Sequence, residues 1–553
     1  MDRFPNNFGL PAPCHKGPWE VHRMRRWNGW GEEGVVYPVP AAARAFLEAQ
    51  FGPGTPPRDV DLGEAVAGIP ASRLPEHPLV TTDPVERLRH CAGQSLGDWI
   101  NLRGGTVPSF PDGVAYPLTE GDVRDILRYA EAVGAVVIPY GGGTSVVGHL
   151  SAPPGDRPVL TVDMRRMNGL VRLDRRDHLA TFQAGVRGPE LEAALRAEGF
   201  TLGHFPQSFE YSTLGGWVAT RSVGQFSLGY GRIERLFVGG EVETPTGTLH
   251  LPVFPASGAG PDLREFILGS EGRMGIITLA TVRVTPLPER ESIHAAFFPG
   301  QEQGIAAVRD LARSSIPLVM LRLSLAEETT ATLALAGHGR AVDLLDRYLA
   351  LRGAGEGKSM LLYGACGSPK DVRRALGQAT KIIKEHQGIP VGSMLGRIWY
   401  KNRFRAPYLR NTLWEMGYAL DTLETATTWS RVSETIEAVE RALRRGLEEI
   451  DERVYVFTHL SHVYPHGSSV YTTYLYRIAR EPRETLRRWR VLKKAASEAI
   501  VRCGGTITHQ HGVGLDHLPY LESEKSPRGI EMLRSVCRAL DPRQMMNPGK
   551  LFR

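Results

Sequence analysis

The chain has 553 residues, too many for a single hydrophobic core, and this length indicates about two to four domains. Apolar residues make up 42% of the sequence, the share expected of a globular protein. The formal net charge is +6, and the basic residues are scattered along the chain. We therefore expect mild attraction to anionic substrates or lipid surfaces and no nucleic-acid partner.

The cysteines and the two ends of the chain predict the cellular compartment of the protein. The cysteines lie far apart and without CxxC spacing, which favours a reducing environment without a disulfide framework. They are Cys14, Cys91, Cys366, Cys503 and Cys537. The start has no apolar secretion signal, no apolar run of about 18 residues occurs, and the final KLFR is not a peroxisomal signal. The expected location is the bacterial cytoplasm, with peripheral membrane contact allowed.

The first part of the chain divides into a lead-in and an α+β domain. Residues 1–105 are rich in Pro, Gly and Trp and predict an irregular, mainly helical lead-in. Helical and strand patterns then alternate over residues 106–290, which we assign to one α+β domain. The elements predicted in it are helices over 120–134 and 189–200 and buried strands over 135–139 and 158–164.

A second α+β unit follows. Residues 433–453 have the apolar periodicity of a long amphipathic helix, and residues 469–477 read SVYTTYLYR, a strand pattern. We take residues 291–520 as a domain that shapes a substrate site. Residues 521–553 are expected to return to the first domain.

Three glycines follow the strand that ends near Tyr140. Gly141, Gly142 and Gly143 carry no Cβ, so their amides can face one point, and Thr144 and Ser145 add hydroxyls. Such a run can cradle a pyrophosphate, although a tight turn explains it equally well. No Lys follows as in a P-loop, and the run does not have GxGxxG spacing.

Two more loops of glycine and hydroxyl residues decide between these interpretations. Gly215 and Gly216 lie within residues 207–231, and LGSEGRMGIIT occupies residues 268–278 ahead of a strand. Three such loops within about 140 residues are enough to wrap a long dinucleotide.

The segments PYGGGTS, STLGGW, GSEGRMGIIT and DPRQMMNPGKLF resemble the FAD-binding domain of the vanillyl-alcohol oxidase and p-cresol methylhydroxylase (PCMH) superfamily. The resemblance implies a PCMH-type FAD-binding domain of two α+β subdomains, with an α+β cap domain over the substrate. The cofactor-binding residues it implies are Pro139, Tyr140, Gly141, Gly142, Gly143, Thr144, Ser145, Gln207, Ser208, Ser212, Thr213, Gly215, Gly216, Thr220, Arg221, Ser222, Glu271, Gly272, Gly275, Ile276 and Ile277. Thr144 stands near the position of the linking histidine of covalent members, so we expect non-covalent FAD.

Within this superfamily, the chain resembles the alkyldihydroxyacetonephosphate synthase family nearly end to end. The resemblance includes WNGWG, RLRHCAGQSLGDWINLRGG, YLRNTLWEMGYALDTLETATTW, YPHGSSVYTTYLY and GGTITHQHGVG. The 2-hydroxy-acid dehydrogenases share HGVG and NPGK with this family, but THLSHVYPHGSS lacks the Asp-Gly-Asn centre of their metal-binding GHxGDGNxH.

The resemblance implies an exchange reaction without net oxidation. The acyl group of acyl-dihydroxyacetone phosphate would be replaced by a fatty alcohol through an adduct on flavin N5, a step of ether-lipid synthesis. This chemistry requires a proton shuttle, cations for the phosphate and an apolar tunnel. Two alternatives stay open: an FAD-dependent 2-hydroxy-acid or alcohol dehydrogenase or oxidase of the same fold, and a flavin-binding protein with a dead site. A homodimer is allowed.

The resemblance also assigns roles to single residues. Tyr471 matches the catalytic tyrosine of the family. The alternative is that it is an aromatic side chain of a strand with a packing role only. Arg410 matches the arginine that binds the substrate phosphate, and Arg322 matches a second required arginine, which we also assign to the substrate phosphate, although most single arginines are surface residues. His204 matches a histidine beside the flavin, and a backbone-bonded loop histidine is an equal alternative.

The stretch HQH departs from the family, which has three consecutive histidines. If the segment is extended, His509 and His511 lie on one face and Gln510 on the other, so that the pair still serves the site. The loss of the middle imidazole puts full equivalence in question. We do not expect a metal at the HxH pair, because no acidic partner is recognisable nearby in the sequence.

Overall fold

The computed structural model describes residues 24–335 and 340–552. Cys14 and the first 23 residues of the predicted lead-in lie outside them. The described cysteines, Cys91, Cys366, Cys503 and Cys537, are free thiols.

The first sheet has four strands in the order β1-β2-β4-β3. They are β1 (Val80–Thr81), β2 (Gly113–Ala115), β3 (Val136–Tyr140) and β4 (Val159–Asp163). Strands β2, β4 and β3 run parallel, and β1 is antiparallel to β2. All five residues of β4 are buried, which explains why this strand reads as a nearly continuous apolar run.

A second, antiparallel sheet lies next along the chain, in the order β5-β6-β10-β8-β9. Its strands are β5 (Leu170–Asp174), β6 (Leu179–Gln183), β8 (Phe237–Thr244), β9 (Gly247–Leu251) and β10 (Ile276–Arg283). A short pair joins β7 (Phe200–Thr201) to β11 (Thr285–Pro286). These two sheets and their helices form the two α+β parts of the N-terminal half.

The third sheet has the order β15-β12-β14-β13-β17-β19-β16, and β18 pairs with β19. Its strands are β12 (Arg290–Phe298), β13 (Met320–Ser324), β14 (Ser359–Gly367), β15 (Ile389–Gly392), β16 (Tyr418–Thr428), β17 (Tyr455–Leu460), β18 (Val463–Tyr464) and β19 (Gly467–Arg477). Strand β19 lies between β17 and β16, so its side chains face neighbours on both sides.

Helices cover these sheets. In chain order they are α1 (Ala41–Phe51), α2 (Leu62–Ala67), α3 (Pro84–Arg89), α4 (Leu96–Arg103), α5 (Glu120–Ala132), α6 (Gly188–Ala197), α7 (Leu214–Thr220), α8 (Ser227–Tyr230), α9 (Ile233–Leu236), α10 (Arg264–Ile267), α11 (Gln301–Arg313), α12 (Ala326–Leu335), α13 (Arg340–Leu351), α14 (Pro369–Glu385), α15 (Met394–Asn402), α16 (Ala406–Glu415), α17 (Val432–Arg445), α18 (Pro482–Arg502) and α19 (Leu521–Leu540). Among the described residues, no helix is long and apolar enough to cross a membrane.

Local signals in the sequence explain where α5 forms. Thr119 and Asp122 form a capping box that satisfies the free amides of the first turn. Val123, Ile126 and Ala130 are buried on one face, as the apolar spacing predicts. The helix predicted over 120–134 is therefore confirmed, and so are α6, β3, β4 and β19.

The predicted helix over 433–453 is too long. Helix α17 ends at Arg445, and a 3₁₀ turn, Glu448–Ile450, follows. Its C-cap is Gly446, a residue type of low helix propensity, where a Cβ atom would lie 2.7 Å from Leu492 of α18.

The C-terminal segment lies against the first sheet. Met545 accepts a backbone hydrogen bond from Val137 at 2.8 Å, and the amide of Asn547 donates to the carbonyl of Val137 at 2.8 Å. Met545 and Met546 are buried in the core of that sheet. The chain end thus comes next to the strand that leads into the glycine run.

Candidate functional site

The glycine run packs against the segment that leads into α7. A Cβ atom at Gly142 would collide with the carbonyl oxygen of Tyr211, and one at Gly141 would collide with Oγ1 of Thr213. Gly143 has φ +65°, a conformation that favours glycine. Side chains are therefore excluded at all three positions, and the backbones of the first two loops approach closely.

The second loop is fixed by its own hydroxyl residues. Oγ1 of Thr213 accepts a hydrogen bond from the amide of Gly216 at 3.3 Å and caps α7. Oγ of Ser212 accepts from the indole N–H of the buried Trp217 at 2.7 Å. The helix ends at Arg221, which has φ +53°. This loop therefore presents a preformed helix start beside Gly141.

The third loop acts as a clamp. The buried carboxylate of Glu271 accepts from the amides of Val513 at 2.5 Å and Gly514 at 2.9 Å, just after the HQH stretch. The side-chain amide of Asn547 donates to the carbonyl oxygens of Glu271 at 2.8 Å and His149 at 3.2 Å. Glu271 thus joins the predicted cofactor loops, the HQH loop and the C-terminal segment.

A cavity of about 1490 Å³ opens beside the third loop and the end of α7, which follows the second loop. Its walls include Thr220, Arg221, Ser270 and Glu271 on one side and Tyr464, His509 and Gln510 on the other. The other predicted cofactor residues lie on the same three loops and their flanking strands: Pro139, Tyr140, Thr144, Ser145, Gln207, Ser208, Gly215, Ser222, Gly272, Gly275, Ile276 and Ile277. The glycine cradle and the adjoining cavity fit a long dinucleotide such as FAD.

Tyr471 lies on β19, opposite Glu424 of β16 on one side and His459 of β17 on the other. Its ring stacks on that of His459, with centroids 4.7 Å apart, and meets the ring of His511 edge-on at 5.8 Å. Burial raises the pKa of the Tyr471 hydroxyl well above its ordinary value, and the charge of Glu424 adds to this. The hydroxyl therefore keeps its proton at neutral pH.

Arg322 forms bonds within the third sheet. Its Nη2 donates to Oε1 of Glu328 at 2.6 Å and lies 3.2 Å from Nδ1 of His459, and its Nη1 donates to Ser324 at 2.6 Å. Burial opposes ionisation of Glu328, but the charges of Arg322 and His459 hold its pKa far below the ordinary range. Both arms of the guanidinium thus have protein partners, which favours a positioning role over contact with a phosphate.

Arg410 has a different environment. Its Nη1 donates to the carbonyl of Gln94 at 2.8 Å, and its guanidinium carbon lies 4.3 Å from the centroid of Trp99. Its Nη2 is buried and has no hydrogen-bond partner among the described residues. Burial lowers the pKa of Arg410, opposed by the nearby Asp421 carboxylate, but an arginine stays charged at neutral pH. A buried charged donor without a partner is costly, so this atom is suited to an incoming anion.

The HQH stretch bends, so the expectation of an extended segment with Gln510 on the opposite face is wrong. His509 Nδ1 lies 3.1 Å from Oε1 of Glu424, and the Gln510 side-chain amide donates to Oε2 of the same carboxylate at 2.7 Å. His509 Nε2 lies 2.6 Å from the hydroxyl of Tyr464. The side chains of His509 and Gln510 therefore both bind the buried carboxylate of Glu424.

His511 and His204 each carry a buried Nδ1 without a partner among the described residues. Burial lowers the pKa of His511 to about 4 and that of His204 to about 3, so both imidazoles are neutral at pH 7. His511 touches Tyr471, whereas Nε2 of His204 lies 3.2 Å from Oγ of Ser222 on the second loop. A neutral ring nitrogen can accept a proton.

The residues that sequence reasoning missed are mostly buried acids and their partners. Glu424 and His459 flank Tyr471, Glu328 holds His459, and Tyr464 holds His509. One signal was available, because an acidic residue inside a strand pattern is seldom buried without a partner. Over the described residues, no group of three or more His, Cys, Asp or Glu side chains could hold a metal ion.

Comparisons with known proteins agree with this geometry. Residues 111–251 match the family of FAD-binding domains, and residues 287–551 match the C-terminal domain of FAD-linked oxidases. An alkyldihydroxyacetonephosphate synthase of Dictyostelium discoideum is 31% identical over 96% of this chain and 94% of its own length. The chain belongs to the alkyldihydroxyacetonephosphate synthase family.

Solved structures agree with this membership. An alkyldihydroxyacetonephosphate synthase structure matches with a TM-score of 0.82 at 27% identity, covering 95% of this chain and 99% of that one. A p-cresol methylhydroxylase matches in fold, with a TM-score of 0.65 at 15% identity over 89% of this chain and 98% of that one. The predicted family, the α+β PCMH-type fold and FAD as the cofactor are confirmed. This member of the alkyldihydroxyacetonephosphate synthase family is an FAD-dependent enzyme.

Proposed function

We propose that the enzyme exchanges the acyl group of acyl-dihydroxyacetone phosphate for a long-chain alcohol. The bond between the substrate carbon and the acyl oxygen breaks, and a bond from that carbon to the alcohol oxygen forms. The products are the alkyl ether and a fatty acid, which receives the proton that the alcohol loses, so no electrons are gained or lost overall. Bound FAD supplies the nucleophilic centre of this chemistry, and the protein side chains bind the phosphate and move the proton.

The observation that carries the proposal is the unpartnered Nη2 of Arg410. A phosphate can complete this guanidinium with a charge-assisted hydrogen bond that no described protein group makes. Arg410 also lies within electrostatic range of Tyr471, so a phosphate bound there brings the rest of the substrate toward the tyrosine. This pairing of a cation with a proton donor suits a phosphate-bearing substrate.

We assign the proton transfers to Tyr471, assisted by His511. The hydroxyl keeps its proton at neutral pH, so it can donate at the reacting carbon. The neutral ring of His511, edge-on to Tyr471, can accept the proton that the alcohol loses and pass it to the tyrosine when the tyrosine must be reprotonated. His204 stands on the side of the predicted flavin loops, next to Ser222. Arg322 acts through Glu328 and His459 and holds the ring on which Tyr471 stacks.

We propose that the three glycine and hydroxyl loops hold FAD without a covalent link. Thr144 stands next to Gly143 and has no side-chain chemistry that attaches a flavin. Acid precipitation of the purified protein should release all flavin into the supernatant, as absorbance near 450 nm shows. Yellow colour that stays with the precipitated chain would contradict this proposal.

We also propose a contact surface for a membrane, from which long-chain substrates must come. Leu344, Tyr348 and Leu351 form one stripe of α13 and are 70%, 42% and 87% exposed. On α15, Met394 and Ile398 are 54% and 52% exposed. Both helices pack on the same apolar cluster. Helix α13 contributes the buried Leu349, and α15 contributes the partly buried Leu395. The two exposed stripes, which no described residue covers, together form an apolar face, here called the α13–α15 face.

Charge points to anionic lipid as the partner of the α13–α15 face. No Asp or Glu occurs between Glu385 and Glu415, the stretch that contains α15. The exposed basic residues in this stretch are Arg397, Lys401 and Arg405, whereas Arg403 is buried and Arg410 belongs to the candidate site. A basic helix with exposed apolar side chains is typical of interfacial binding to anionic bilayers.

Flotation with lipid vesicles tests the α13–α15 face. The enzyme should float with phosphatidylglycerol vesicles and much less with phosphatidylcholine vesicles. Leu351→Glu with Ile398→Glu should abolish flotation. Phe254→Glu is the matched control, because Phe254 is 61% exposed on another surface. Equal flotation of the double variant and the control would rule out this face.

The reaction itself is tested anaerobically, without an electron acceptor, using acyl-dihydroxyacetone phosphate and a labelled long-chain alcohol. Labelled ether, an equal amount of fatty acid and an oxidised flavin after turnover are expected. Bleaching of the flavin by hydroxy acids or alcohols, without exchange, would point instead to an oxidoreductase. Neither response in flavin-loaded protein would point to a dead site.

A further inference from the structure

Gln510 connects two parts of the molecule through the two ends of one amide. Its NH₂ group donates to Oε2 of Glu424 at 2.7 Å, and its oxygen accepts from the backbone amide of Val223 at 3.2 Å. Glu424 belongs to β16 of the third sheet, and Val223 directly follows Ser222 of the second cofactor loop. The amide thus bridges the sheet that carries Tyr471 to the loop predicted to touch the flavin.

Glu424 is the other half of this bridge. It is 1% exposed, and each of its carboxylate oxygens faces a donor of the HQH loop. Its backbone carbonyl also accepts from the amide of His509 at 3.1 Å. Burial alone would raise the pKa of Glu424, but the neighbouring His509 keeps it far below the ordinary value. One ionised residue therefore holds two consecutive residues of the loop.

The contacts of Glu424 also determine which ring nitrogen of His509 carries the proton. Nδ1 faces the carboxylate, so it carries the hydrogen, and Nε2 then accepts from the hydroxyl of Tyr464 at 2.6 Å. With His509 and Gln510 both held, the position of the next residue, His511, against Tyr471 is determined by the bridge.

We propose that Glu424 and Gln510 are positioning residues that lock the HQH loop between the third sheet and the flavin-side loop, and that Gln510 keeps the contact with Val223 independent of pH. The inference rests on the proposed function in one respect, because the position of His511 matters to turnover only if Tyr471 and His511 move the proton.

The chemistry of the amide explains why glutamine suits this position. A neutral imidazole also offers one donor and one acceptor, so it could replace the amide. An imidazolium has two donors and could not accept from the Val223 amide. Glu424 would favour that charged form, because an opposite charge stabilises it. A histidine at position 510 would therefore release Val223 as pH falls, whereas glutamine cannot titrate.

Other charged and titratable groups face the same space from several elements. They are Tyr471 on β19, His459 on β17, His462 in the loop between β17 and β18, Tyr464 on β18, Arg232 next to α9, and His509 and His511 in the HQH loop itself. These groups are identical in wild type and in variants at position 510. A difference in pH dependence between wild type and Gln510→His therefore belongs to residue 510.

Hydrogen exchange of the Val223 amide in the flavin-loaded enzyme tests the lock without reference to the reaction. Gln510→Leu removes the acceptor and should speed exchange at Val223 about tenfold or more. The amide of Gln225, bonded to the carbonyl of Phe205 at 2.9 Å, is the internal reference and should not change. In Gln510→His, Val223 should be protected at high pH and exposed at low pH, after correction for intrinsic exchange. Unchanged exchange in Gln510→Leu would overturn the lock.

Kinetics then test the positioning role. Gln510→Leu and Glu424→Gln should lower kcat about 10²-fold with little change in KM, because the loop that carries His511 shifts. Gln510→His should keep near-normal kcat at high pH and lose it toward low pH, unlike wild type. Gln378→Leu, on the exposed face of α14, is the matched control and should behave as wild type.

The outcomes separate the lock from the proposed reaction. Faster exchange at Val223 with an unchanged kcat would overturn the positioning role. A wild-type enzyme that makes no ether would overturn the proposed function, while the exchange result would still decide whether the lock exists. If Glu424→Gln loses its flavin or fold, the two Gln510 variants still give both readouts.

Discussion

Tyr471 and His459 lie face to face, with ring centroids 4.7 Å apart and ring planes inclined by 13°. They are cross-strand partners on β19 and β17, so the backbone pairing fixes the stack. Glu328 and Arg322 hold His459 in turn. The Tyr471 ring therefore has a rigid support, and its hydroxyl can be placed with the precision that proton transfer needs.

Replacement of Tyr471 by phenylalanine should keep the stack and remove only the hydroxyl. We expect a fall in kcat of about 10³-fold, within the usual range for a lost general acid or base. The flavin spectrum and the melting temperature should stay close to those of wild type. The measurement is formation of labelled ether under anaerobic conditions.

Tyr476→Phe is the control for this change. Tyr476 is buried on the same strand, and its hydroxyl makes only a long contact of 3.5 Å to the carbonyl of Thr485. It should retain most of the activity. Equal activity in Tyr471→Phe and Tyr476→Phe would remove Tyr471 from the mechanism.

Replacement of Arg410 should act on the phosphate substrate. Lysine keeps a charge but cannot reproduce the two-armed contact to Gln94 and to a phosphate. Arg410→Lys should therefore raise the KM for acyl-dihydroxyacetone phosphate at least about tenfold, a loss of about 1.4 kcal/mol. The KM for the alcohol should change little.

Arg322→Lys gives the contrast. The guanidinium of Arg322 is bound to Glu328 and His459. Its replacement by lysine should therefore lower kcat more than it raises the KM for the phosphate substrate. Steady-state kinetics with each substrate varied in turn separate these patterns. A larger KM effect at Arg322 than at Arg410 would reverse the two assignments.

The sequence predicted those parts of the fold and site that depend on local signals. The capping box of α5, the apolar run of β4 and the glycine run at Gly142 are readable without tertiary contacts. The family resemblance assigned candidate roles to two residues: catalysis to Tyr471 and phosphate binding to Arg410. Each of these features lies within one short segment of chain.

Contacts between distant segments were not predictable in this way. Glu424 meets Gln510 across 86 residues, and Arg322 meets His459 across 137 residues. These contacts depend on strand order in the third sheet and on the bend of the HQH loop. Sequence alone therefore suggested that Arg322 binds phosphate, whereas its contacts in the fold favour a positioning role.

The ion pair of Arg322 and Glu328 should make stability depend on pH. The pKa of Glu328 is below its unfolded value of 4.5, so its contribution is complete above that pH and is lost as pH falls through the folded value. At pH 7, Glu328→Gln should lower the free energy of unfolding by about 2 kcal/mol, because it leaves a largely buried Arg322 unpaired. Thermal melting of the flavin-loaded enzyme measures this effect.

The same comparison at low pH checks the cause. Below about pH 4.5 the wild-type melting temperature should fall toward that of Glu328→Gln, because Glu328 of the unfolded chain becomes protonated while the folded carboxylate stays ionised to a much lower pH. Glu437→Gln, an exposed residue of α17, should show no such convergence. A constant difference between wild type and Glu328→Gln from pH 7 to pH 4 would mean that packing, not charge, stabilises this site.

Gly142→Ala should impair cofactor retention. The new methyl group would collide with the carbonyl oxygen of Tyr211, which is backbone and cannot swing away. The two loops must therefore separate, and the purified protein should contain far less FAD per chain, measured as the ratio of absorbance near 450 nm to that at 280 nm. Gly258→Ala is the matched control, because a Cβ atom there meets nothing within 4 Å. If both variants keep a full complement of flavin, the first loop does not form the cofactor cradle; a loss confined to Gly142→Ala, partly restored by excess FAD, would locate the cradle at this glycine.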